Sequence, residues 1–171
     1  MTREVNGVVY RSDGLKHLSP VRAAALLGLI RAGETLDRRL DAELVRTHGI
    51  SLRAFEVLLF LAVFAPDRQL RMTDLIAQTP LSQSRVSRLV AELEARGLVR
   101  RSSADADRRG VLVTITDRGV QTFKAAQDTH LADLERRLFS RLTDEEIGQL
   151  AAITAKILAA DGTGETTAGC R

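Results

Sequence analysis

The sequence predicts a mainly helical fold with one small β-wing. Three observations carry that prediction. Apolar residues recur at three- and four-residue steps over most of the chain, as they do along one face of a helix. The breaks between those stretches hold helix-start and helix-stop residues: Ser19-Pro20, Gly49, Pro66-Asp67, Pro80, Gly97 and Thr116. Only between Leu98 and Ile115 does the pattern change, to two strand-like runs around a polar, turn-prone stretch.

Residues 1–18 read as an N-terminal arm with turn signals at Asn6-Gly7 and Asp13-Gly14. Val8 to Tyr10 is a candidate short strand there, and a flexible tail is the plainer alternative. Ser19 as cap and Pro20 at the first helical position open a long helix. Leu26, Leu29, Ile30, Gly33, Leu36, Leu40 and Leu44 form its stripe, and it is expected to run to about Thr47 and stop at Gly49. Ser51 caps a second helix to about Phe64, with Phe55, Leu58, Leu59 and Ala62 facing inward. Leu70 to Met72 is a candidate very short strand. A short third helix, about Thr73 to Gln78, breaks before Pro80 because a residue preceding proline avoids helical backbone. The fourth helix opens at Ser82 and ends near Arg96-Gly97, with Val86, Leu89, Val90 and Leu93 on its core face.

Leu98 to Ser102 and Val111 to Ile115 then read as strands of a hairpin whose connection is "SADADRRG". Thr116 caps a long fifth helix holding Val120, Phe123, Leu131, Leu134 and Leu138. Thr143 and Glu146 form a capping box for the last helix, with Ile147, Leu150, Ile153, Ile157 and Leu158. Residues 161–171 are rich in Gly, Thr and Ala and are expected to be disordered.

Composition narrows the function. At 171 residues the chain can bury one substantial core plus an oligomerisation element. Its formal net charge of +3 excludes a histone-like polycation, while a sequence pI near 9.6 suits an anionic partner. Of 25 basic residues only Lys16, Lys124 and Lys156 are lysine. Arginine's planar fork fits phosphates and guanine edges, although genomic base composition would produce the same bias. Aromatic residues make up 4% with no Trp, which argues against a stacking platform for single strands. The one cysteine, Cys170, rules out an intrachain disulfide and a cysteine zinc site. It fits a reducing cytoplasm, as does the absence of a secretory pattern in the first thirty residues. The longest apolar run, Val57 to Ala65, is too short to span a bilayer.

The most specific segment is Leu81 to Arg109. A short helix, a break and a second helix of about fifteen residues is the pattern of a helix-turn-helix. The free face of that second helix holds Ser82, Gln83, Ser84, Arg85, Ser87 and Arg88, all in its first two turns. A reading helix approaches base edges with its N-terminal end. Arg85 or Arg88 can bridge O6 and N7 of guanine, and Gln83 can pair with adenine N6 and N7. Ser82 and Ser84 can donate to phosphate oxygens beside the positive helix end. Glu92 and Glu94 would be repelled by phosphate, so the later turns are expected to point away. Arg108 and Arg109 lie near the hairpin tip, where a narrow minor groove attracts arginine, with Asp107 bracing Arg109. Taken singly, each arginine reads as solvated surface. The helical break, polar helix start, aliphatic back face and arginine hairpin together point to duplex DNA.

From about residue 20 to 159 the chain resembles the MarR family of winged-helix transcriptional regulators. The matching residues are "LSQSRVSRLVAELEARGLVRR" and "DADRRGVLVTITDRG". The wing signature of acidic residue, basic residue, arginine and glycine falls on Asp107, Arg108, Arg109 and Gly110. The resemblance implies a winged helix-turn-helix lobe with terminal helices that interlock in a homodimer. It implies pseudo-palindromic operators, a response to small, often aromatic, anions, Ser82 to Arg88 as the major-groove helix and Arg109 as the minor-groove residue. Residues 1–18 depart from the family's simplest pattern.

The resulting layout is an arm at 1–18, a dimerisation helix at 19–50, a DNA-binding lobe at 51–115, dimerisation helices at 116–160 and a tail at 161–171. Dimerisation also follows from the residues alone, because the first, fifth and sixth helices carry apolar stripes that one such lobe could hardly cover. The expected function is a DNA-binding transcriptional regulator, a repressor relieved by a small molecule. The alternative is a winged-helix module that docks proteins or dimerises without a DNA target of its own. No enzyme motif, cofactor or membrane partner is expected. His17, His48 and His130 lack ligand spacing, apart from the pair His130 and Asp133 three apart, and ordinary histidines are the expected reading.

Overall fold

The computed structural model describes residues 3–103 and 110–160. The chain divides into two compact units, Met1–Arg39 and Leu40–Arg171.

In the first unit, β1 (Arg3–Val5), β2 (Val8–Tyr10) and β3 (Lys16–Leu18) form an antiparallel sheet in that order. The arm is therefore folded, and a flexible tail is the wrong description of it. Asn6 and Gly7 both take positive φ, 50° and 75°, as a two-residue turn must to match the twist of its strands. The second turn is tied by Asp13, whose carboxylate accepts from Arg11 Nε and from Leu15 N. Lys16 Nζ sits 5.3 Å from the centre of the Tyr10 ring.

Helix α1 (Pro20–His48) follows and continues into the second unit. Val21, Leu26, Leu27, Leu29 and Ile30 on its first part are exposed, whereas Leu40 and Leu44 are buried. Gly49, at φ 64°, ends it.

The second unit holds one apolar core. Helix α2 (Leu52–Leu59) is capped by Ser51, whose side chain accepts from Ala54 N. It continues as a π turn at Phe60–Phe64, where Ala65 N reaches back five residues to Phe60 O at 2.9 Å. Asp67 and Arg68, both with positive φ, turn the chain into β4 (Gln69–Arg71). Helices α3 (Met72–Ala77) and α4 (Gln83–Ala95) come next, then β5 (Val99–Ser103), β6 (Val111–Ile115), α5 (Asp117–Arg137) and α6 (Asp144–Ala160). Strand β6 lies between β4 and β5, antiparallel to both, with Leu70 opposite Val113 and Val99 opposite Ile115. The wing is thus rooted in a three-stranded sheet. Phe55, Val57, Leu58, Leu61, Leu75, Val86, Val90, Leu93, Leu98, Val113 and Phe123 fill the core between sheet and helices. Among the described residues no single helix is long and apolar enough to cross a membrane.

Two devices seat α5. Thr116 accepts from Gly119 N at 3.0 Å and donates to Gly97 O at 2.7 Å. Gly119 itself lies so close to Leu98 O that it has no room for a side chain. Further along α5, His130 packs against Phe55 with the rings tilted by 41°, 4.6 Å between ring centres. Asp133 is almost wholly buried and is held by Arg136 and Arg137. Burial by itself would raise its pKa, but the hydrogen bonds from Arg137 and Arg136 hold the carboxyl below its ordinary value. These contacts give His130 and Asp133 structural surroundings, and no group of three or more potential ligands among the described residues could hold a metal. Helix α6 opens on the expected capping box, with Thr143 N donating to Glu146 Oε2 at 2.8 Å and Glu146 N to Thr143 Oγ1 at 3.3 Å. Residues 161–171 lie outside the described residues.

Candidate nucleic-acid interface

The site is built on α4. Its thirteen residues rise about 20 Å, and a helix about 10–12 Å across fits a major groove about 12 Å wide. Val86, Val90 and Leu93 are buried at three- and four-residue spacing, so packing fixes which face is free. Ser82, Gln83, Ser84, Arg85 and Arg88 are exposed on that free face, and Ser87 and Leu89 are half-buried. Five of the six predicted helix residues are thus brought together in the open, and Ser87 sits at the margin.

The helix start leaves polar atoms available. Ser82 takes extended backbone at the cap position, but its side chain accepts no bond from the first turn. Its Oγ lies 3.3 Å from Ser84 Oγ instead. Arg88 Nε reaches back to Ser84 O at 3.4 Å, and neither Arg85 nor Arg88 forms an ion pair among the described residues.

The helix end is tightly fixed. Gly97 takes φ 71°. Leu98 N bonds Leu93 O at 2.9 Å and Gly97 N bonds Glu94 O at 2.8 Å, the paired bonds that close a helix through a left-handed glycine. Arg96 Nη1 donates to Gly49 O at 2.9 Å. Glu94 accepts from Arg101 N at 2.8 Å and from Arg101 Nε at 2.7 Å. The Arg101 side-chain bond, then its backbone bond, hold the Glu94 carboxyl below its ordinary pKa. Sequence reasoning treated Glu94 only as a charge that DNA would repel and did not single out Arg101. The available signal was an acidic and a basic residue facing each other across the Gly97 turn.

The wing strands are in place to Ser103, which pairs with Val111. Asp107, Arg108 and Arg109 lie outside the described residues.

Comparisons with known proteins agree with this geometry. The family model described as MarR family matches residues 48–110. A MarR family transcriptional regulator from Streptomyces coelicolor, solved in complex with DNA, is 32% identical. The alignment covers 86% of this chain and 91% of that one, with a TM-score of 0.79. AbsC, another MarR family regulator from that organism, is 26% identical over 88% of this chain and all of its own, with a TM-score of 0.80. The HTH-type transcriptional regulator PecS of Dickeya dadantii is 25% identical, covering 75% of this chain and 76% of its own. On the packed helix-turn-helix, the rooted wing and this match, the chain belongs to the MarR family of transcriptional regulators.

Proposed function

We propose that the chain binds duplex DNA sequence-specifically as a homodimer, on a pseudo-palindromic operator, and acts in the cytoplasm as a repressor relieved by a small ligand. The observation that carries the DNA reading is the division of α4. One face is locked into the core, and the other presents Arg85 and Arg88 beside a polar helix start. Residues 51–115 serve as the DNA-binding lobe, with Arg109 of the wing entering the minor groove. The solved relative bound to DNA supports the same reading.

Residues 19–50 and 116–160 supply the dimer contacts. Support comes from the exposed Leu26, Leu29 and Ile30 on α1 and the exposed Leu150, Ile153 and Ile157 on α6, since apolar surface of that extent marks an interface. Two-fold pairing sets reading helices about 34 Å apart, one DNA turn. Repression, and its relief by a small aromatic or anionic molecule, are carried over from the family resemblance.

The test is selection of bound sequences from a random duplex library, followed by fluorescence titration of the selected operator. An enriched palindrome is expected, with affinity falling as salt rises by a log–log slope of about −0.9 per phosphate contact. Arg109→Ala is expected to weaken operator binding by about 1–3 kcal/mol. No enriched sequence, together with salt-insensitive binding, defeats the reading.

A further inference from the structure

We propose that Glu94 is a positioning residue for DNA recognition, and that its clamp on Arg101 sets the wing relative to the reading helix. The inference rests on the DNA-binding reading above.

A single carboxylate holds both the backbone and the side chain of one residue. Oε1 accepts from Arg101 N at 2.8 Å, and Oε2 from Arg101 Nε at 2.7 Å and Nη2 at 2.6 Å. Among the described residues, strand β5 is an edge strand, paired only with β6. The Arg101 N–H would otherwise point away from the sheet, and the bond from Glu94 satisfies it. The guanidinium bonds then fix the carboxylate that holds the strand, with the short distances expected of charge-assisted bonds.

The location gives the clamp its consequence. Glu94 lies in the last turns of α4, nine residues after Arg85, or about 14 Å along the axis. Arg101 lies two residues before Ser103, the last described residue of the wing's first strand. The same rigid helix therefore carries the reading side chains at one end and holds the wing root at the other. The clamp also occupies Arg101, so this arginine is not one of the phosphate-binding cations. A carboxylate near DNA costs affinity through repulsion, and pairing with Arg101 offsets that charge.

The experiment is a double-mutant cycle on operator affinity, with a random duplex as reference. Glu94→Ala is expected to weaken operator binding about tenfold while leaving random-duplex binding unchanged or slightly stronger. Arg101→Ala, which removes the other partner, is expected to give the same loss of specificity. In an Arg109→Ala background, Glu94→Ala is expected to cost nothing further, because the clamp works through the wing. Operator affinity within twofold of wild type in both single variants overturns the proposal, as does an undiminished loss in the Arg109→Ala background. If Arg109→Ala alone has no effect, the wing reading itself fails and takes this proposal with it. An Arg109→Ala loss beside an intact Glu94→Ala variant sinks the clamp alone.

Discussion

Replacing Gly119 with alanine gives a prediction whose sign is set by the structure. Gly119 is the third residue of α5, and its φ is negative, so backbone freedom is not what the position requires. On propensity alone, Gly→Ala in a helix is worth up to about 1 kcal/mol of added stability. The surroundings oppose this. A Cβ here would lie 2.1 Å from Leu98 O and 2.7 Å from Ile115 Cγ1, where real Cβ atoms essentially never come under 3.0 Å. Leu98 cannot yield easily, because its N–H closes α4 on Leu93 O and its carbonyl accepts from Thr116 N. The helix start or the strand root has to move by about 0.9 Å to restore that 3.0 Å spacing. Overpacking of this kind costs about 1–3 kcal/mol, and clash with backbone places it in the upper part of that range. The propensity gain offsets about 1 kcal/mol, leaving a net loss of about 1–2 kcal/mol and a Tm lower by about 2–8 °C for a chain this long. Thermal unfolding followed by circular dichroism at fixed protein concentration reads the change. A Tm equal to or above that of the parent refutes the reasoning.

Two further outcomes follow from other parts of the fold. Burial against Phe55 lowers the pKa of His130, and the negative charge of Asp133 only partly opposes this. The unfolded chain therefore binds that proton more readily, so stability falls as pH drops below 6.5. His130→Phe keeps a ring on Phe55 and is expected to flatten the decline in Tm between pH 7.5 and 5.5. An equal decline in both proteins removes His130 as its source. The double substitution Ile153→Glu with Ile157→Glu places charge on the exposed apolar face of α6 and is expected to yield monomers in sedimentation velocity. If the parent chain sediments as the proposed dimer and the variant does so equally, that face is excluded as the interface.

The helices were legible because burial imposes a period that residue types reveal. Val86, Val90 and Leu93 mark the back of α4, and Gly97 marks its stop. The strand at Gln69–Arg71 was visible only as a candidate, since three residues show no alternation and its place depends on pairing with β6. The N-terminal sheet was harder still. Its strands are three residues each, and its two turns, at Asn6-Gly7 and Asp13-Gly14, gave the main local signals. The π turn left no mark, because the apolar run from Val57 to Phe64 reads equally well as uninterrupted α-helix. On the candidate interface, residue chemistry singled out Arg85 and Arg88 but not the Glu94 clamp, which exists only because a glycine turn folds β5 back beside α4.

The bond from Arg96 to Gly49 reaches beyond local stability. Gly49 shares a corner with His48, whose ring nitrogen meets Thr129 of α5 at 2.8 Å, and Leu52, whose N–H is held by Asp41 at 2.8 Å. The rear of α4 is thus leashed to the same joint that grips α5. A displacement of that joint swings a lever whose far end, at Arg85, lies about 17 Å away. Under the proposed DNA reading, the aim of Arg85 and Arg88 is thus tied to packing at a corner that neither side chain touches.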